Sequence, residues 1–195
     1  MTESETNRVQ VFRHSGFVIL SAFGIRHSSN MFDLKPLSLE AIPAALEKAT
    51  RYRLLNEPAE AESICLDVLR TDPENQQALV ILLLALTDRF VKGYGVSETQ
   101  AQELLPRLRS EYERTYYAGI ICERKAKAHL HHGGPGAGFN AFELFRDAMT
   151  WFEQAEKVRP AGNDEALLRW NTCARILARN KLGPRPQETG QLTLE

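Results

Sequence analysis

Two apolar stripes at helical spacing, joined across Asn56-Glu57-Pro58, constrain this chain more than any other feature. Ile42, Leu46, Ala49, Tyr52 and Leu55 recur at three- and four-residue intervals, which puts them on one face of a helix ending near Asn56. Pro58 suits a first helical position, and Ala61, Ile64, Cys65, Val68 and Leu69 then form a second stripe. The two make a helical hairpin. Such a hairpin cannot bury its apolar faces alone, so it must stack on neighbours.

The rest of the chain supplies those neighbours. Ser38 is the expected N-cap of the first helix, with Pro43 near its first turn. Asp72-Pro73 has the start chemistry of a third helix, which runs to about Lys92 and stops at Gly93. Its apolar run Ala78 to Leu86 is far short of the roughly 20 residues a membrane helix needs, and suits the centre of a stack. Ser97 and Gln100 form a capping-box signature for a fourth helix that ends near Arg109, kinked at Pro106. A fifth spans Glu111 to His131, a loop follows from His132 to Gly138, and a sixth spans Phe139 to Val158. Asn163 caps a seventh that reaches Asn180, and Gly183-Pro184-Arg185-Pro186 opens a polar tail. No strand pattern competes, so the expected class is all-α.

The expected organisation is a flexible extension over 1–37, a helical domain over 38–180 and a disordered tail over 181–195. Arg8 and Arg13 before the apolar run Gly16 to Ile25 imitate a secretory signal, but Phe23 and Ile25 stand where cleavage wants small side chains. A start at Met31 is the other reading of this region. The net charge of −1 gives no chain-wide cationic field, which argues against general nucleic-acid binding. Cys65, Cys122 and Cys173 are odd in number and far apart in apolar helical patterns, and read as buried thiols of a reducing, cytoplasmic compartment.

With these helices in place the chain resembles the tetratricopeptide repeat family. Ala49, Tyr52, Ala61 and Pro73 occupy the family's small, aromatic, small and proline positions in a first repeat over about 42–75. The second, about 76–111, departs from the pattern with Arg109 in place of the terminal proline. In the third, about 112–162, Gly119, Ala148, Phe152, Ala155 and Pro160 match again around the inserted glycine loop. The resemblance implies a right-handed superhelix of about three hairpins plus a C-terminal capping helix. It also implies a non-enzymatic adaptor or scaffold that holds a peptide or protein segment in a concave groove lined by the first helix of each repeat. Carried onto this sequence, the groove residues are Arg53 and Asp88 from the first two repeats, Tyr116, Glu123 and Arg124 from the third, and Asn171 and Arg175 from the terminal helix. The exposed tyrosine would add contact area. The family's chaperone-tail clamp is not expected, because Leu46 and Ile81 stand where it needs basic and amide side chains. Two other functions fit the same helices: a small-ligand or enzyme-accessory domain using the groove and the 132–138 loop, and a structural homo-oligomer.

Other chemistry is weaker. His129, His131 and His132 lack a Cys or carboxylate at ligand spacing and suit a helix C-terminus electrostatically, so no metal or other cofactor is expected. The loop Gly133 to Gly138 follows a helix and lacks the Lys-Ser/Thr of a phosphate loop. Its expected role is a flexible insertion, with a lid over the groove as the alternative. Cys173 has no His or acid at helical contact distance, and the basic run Arg169, Arg175, Arg179, Lys181 and Arg185 complements a helix end.

Overall fold

In the computed structural model, which describes residues 32–93 and 95–186, every regular element is helical. Helix α1 (Ile42–Leu54) follows a short 3-10 turn, α2 (Pro58–Thr71) begins on its proline, and α3 (Gln76–Asp88) passes into a second 3-10 turn at Phe90–Lys92. Then come α4 (Gly95–Leu104), α5 (Glu111–His132), α6 (Ala137–Lys157) and α7 (Glu165–Arg179). The expected fourth helix is shorter than its pattern, because Pro106 falls in a 3-10 turn, Leu105–Arg107, that ends it.

The start of α3 differs from expectation. Asp72 closes α2, its amide bonding the Val68 carbonyl, and Asn75 caps α3 by accepting from the Ala78 amide at 2.9 Å. For α5 the cap is Ser110, which accepts from the Glu113 amide at 3.3 Å.

Short turns join α1 to α2, α2 to α3 and α5 to α6, so chain neighbours run antiparallel and alternate helices run parallel. Consecutive helices pack on one another, and α3 also meets both α1 and α5. One apolar core lies among α1 to α4, with Ala49, Ala61, Cys65, Val68, Leu79 and Leu83 buried in it. A second lies among α5 to α7 around Phe145, Ala148, Phe152 and Cys173. Helix α5 serves both, since Ile121 and Ala128 belong to the first core, Tyr116 and Ile120 to the second, and Tyr117 packs against each.

The small residues sit at close approaches. Ala49, Ala61 and Ala148 are fully buried, and a methyl group on Gly119 would meet the Phe152 ring at 2.5 Å. Beyond α7 the chain turns at Lys181, whose φ of 51° is left-handed, and the Leu182 amide bonds the Leu177 carbonyl. Leu182 then packs on the second core and Arg185 lies over the Phe139 ring, so residues 182–186 fold back across the start of α6. The expectations for 1–31 and 187–195 fall outside the described residues. No helix among the described residues is long and apolar enough to cross a membrane.

Candidate functional site

Alternate helices bring their charged residues together in a row. Arg53 lies in the last turn of α1 and Asp88 ends α3; because the two helices are parallel, these ends are adjacent, and Arg53 Nε donates to Asp88 Oδ2 at 2.8 Å. Arg124, midway along α5, donates to the other Asp88 oxygen. One residue earlier, Glu123 is completely buried; its Oε1 accepts from Lys127 and, at 3.4 Å, from Arg169 in the second turn of α7. The pairs Arg53–Asp88, Asp88–Arg124 and Glu123–Arg169 are separated by 35, 36 and 46 residues.

Between the end of α3, the middle of α5 and α7 is a hollow of ≈ 210 Å³ bordered by Phe90, Val91, Asp88, Arg124, Lys127 and Arg169. Lys127 also borders a trough of ≈ 570 Å³ whose other walls are Thr172, Arg175, Ile176 and Arg179. The row and the trough therefore hold six cationic side chains against two carboxylates, in a chain whose net charge is −1.

Family models, curated proteins and solved structures give no match to this chain.

The cations are not at rest electrostatically. Burial pushes the Arg124 guanidinium down, to about 10, and the like charges of Arg53 and Arg169 add to the effect. Burial also lowers Arg53. For Arg169 burial works downward, but Glu123 and Tyr116 more than reverse it. Asp88 spends both oxygens on arginines, whereas Glu123 places both its cations on Oε1 and Oε2 has no partner among the described residues.

Of the sequence-derived groove residues, Arg53, Asp88 and Arg124 come together here and Arg175 lines the adjoining trough, whereas Glu123 has no exposed surface and holds Lys127 and Arg169 from below instead of facing a partner. Tyr116 does not offer an exposed ring. It is buried, its ring stacked on Tyr112 at 5.6 Å and tilted against Phe152 at 5.8 Å, because α6 and α7 cover that face of α5. Asn171 also lies elsewhere: two residues past Arg169 is about 200° around a helix. It borders a different hollow with Glu153, Leu167 and Trp170. Sequence reasoning missed Lys127, although its place three residues after Arg124 puts it on the same face. Arg169 was visible only as part of a basic run.

The remaining candidates have structural surroundings. His132 Nδ1 lies 2.7 Å from the Ala128 carbonyl at the end of α5, and the glycine loop meets the chain's own Arg185. All three cysteines are free thiols, and burial raises Cys65 and Cys173 to about 12 and the half-buried Cys122 to about 11. Thiols so protonated are poor nucleophiles.

Proposed function

We propose that this chain is a non-enzymatic protein-binding module of the tetratricopeptide type, a cytoplasmic adaptor that holds a partner's segment along the face formed by its alternate helices. The row from Arg53 to Arg169 carries this reading. Its first two links are 35 and 36 residues long, close to the 34-residue period of such repeats, as expected if equivalent first helices present equivalent positions to one surface. The buried small residues Ala49 and Ala61 and the tight approach at Gly119 fit the same scheme. Arg124, Lys127, Arg169, Arg175 and Arg179 set their charged ends around the hollow and the trough, which suits a segment carrying complementary charge.

Selection of random peptides displayed on phage tests the proposal. Enriched peptides are expected to compete with one another and to lose binding when Lys127 is replaced by Gln, which removes the charge but keeps a donor for the buried Glu123, with circular dichroism checking that the variant is folded. Failure to enrich any peptide, or enrichment only of peptides that bind Lys127→Gln as well as the native chain, would overturn it.

A further inference from the structure

We propose that the segment held on this face is acidic, with one carboxylate side chain seated in the hollow among Arg124, Lys127 and Arg169 and a second, four or so residues away, at Arg179. The inference rests on the protein-binding reading above and supplies its chemistry.

The internal carboxylates leave the cations under-compensated. Asp88 serves Arg53 and Arg124, and Glu123 serves Lys127 and Arg169 through a single oxygen. An ammonium has three donors and a guanidinium five, so Lys127 and Arg169 retain donors beyond these bonds at the edge of the hollow. Like-charge repulsion among Arg53, Arg124 and Arg169 is relieved by an anion placed between them. Glu123, buried and holding two cations at once, fixes where that anion sits, so little side-chain freedom remains to be lost on binding.

Spacing follows from helix geometry. Ten residues of α7 separate Arg169 from Arg179, which is about 15 Å of helix, and an extended peptide covers that in about four or five residues at roughly 3.3 Å each. Ile176 lies in the trough between them and offers a contact for an apolar side chain midway. A free C-terminus is not required, because side-chain carboxylates satisfy both ends. Nucleic acid fits less well. Single strands bind by stacking bases on exposed aromatics, and the aromatic that lines the hollow, Phe90, and the one that meets Arg169, Tyr116, are both buried.

The probe is a fluorescein-labelled peptide, acetylated and amidated, of sequence Gly-Ser-Glu-Ser-Leu-Ser-Glu-Ser-Gly, with a control in which both Glu are Gln. In fluorescence anisotropy at about 50 mM salt the Glu peptide is expected to bind the chain at least about tenfold more tightly than the control, the difference shrinking as salt is raised. The double variant Arg175→Ala, Arg179→Ala, at two exposed side chains of the trough, should lose about tenfold for the Glu peptide while its melting temperature stays within about 2 °C of the native value. Equal binding of the two peptides, an unaffected double variant, or a single-stranded oligonucleotide of matched length that binds more tightly and displaces the Glu peptide would each overturn the proposal. If phage selection enriches peptides that depend on Lys127 yet carry no excess of Asp or Glu, the acidic claim falls and the protein-binding module stands. If no selected peptide depends on Lys127, both fall.

Discussion

Gly119 sets the distance between α5 and α6. A Cβ there would lie 2.5 Å from Cε1 and 2.8 Å from Cδ1 of Phe152, whose ring is fully buried and held from another side by Tyr116. Alanine is the better helix former by roughly 1 kcal/mol, so the substitution sets local preference against packing. Packing should win: Gly119→Ala is expected to lower stability by about 1–3 kcal/mol, the usual cost of overfilling a tight core. A urea melt with an unchanged or raised midpoint would show that the ring yields. Residues of this kind are legible when a single neighbour explains them, as the small residue at 119 and the aromatic at 152 are. Arg53, Asp88 and Arg124 were legible through the register of the repeat resemblance, which sets them about one repeat apart on successive first helices. Tyr116 was not, because its face is decided by α6 and α7, whose positions depend on contacts far along the chain.

Helix boundaries follow a competition among caps. Asp72-Pro73 and Asn75 are all acceptable starts for α3, and the residue nearest the apolar run prevails, with Asp72 Oδ2 accepting from the Asn75 side chain. Asn75→Ala is therefore expected to cost about 1 kcal/mol and Asp72→Ala clearly less. Paired thermal melts check the order, and a larger loss at Asp72 would return the start of the helix to that residue. The first hairpin, the glycine stop at Gly93 and the turn before α7 could be read directly, since Pro58, Gly93 and Pro160 permit few alternatives. The tail could not. Gly183-Pro184-Arg185-Pro186 has the composition of a solvated segment, and what holds it is the tertiary contact of Leu182 with the second core and of Arg185 with Phe139.

At the scale of the whole molecule, burial sets the response to alkali. Besides the thiols, burial raises Tyr112 to about 12 and also raises Tyr116 and Tyr117. Unfolded thiols ionise near 8.5 and phenols near 10, so above those values the unfolded chain has released protons that the native state keeps. Stability then falls with rising pH, by about 1.4 kcal/mol per pH unit for each proton fully retained. Arg124 acts in the opposite sense. Its folded value of about 10 lies below that of an unfolded arginine, so above pH 10 it adds stability, and Arg53 is lowered in the same way, but these are two groups against six. Urea midpoints should be flat from about pH 7 to 8.5 and decline from about pH 9 to 11; a level profile across that upper range would mean that water reaches these groups. The all-α class needed only periodicity, whereas the meeting of four alternate helices at one charged row needed every turn to be placed correctly, which composition does not encode. The two cores also share α5, which buries Ile121 and Ala128 in the first and Tyr116 and Ile120 in the second. A breathing motion that slackens either half at α5 must disturb the same spine, so amide exchange along α5 is expected to report on the loosening of both cores.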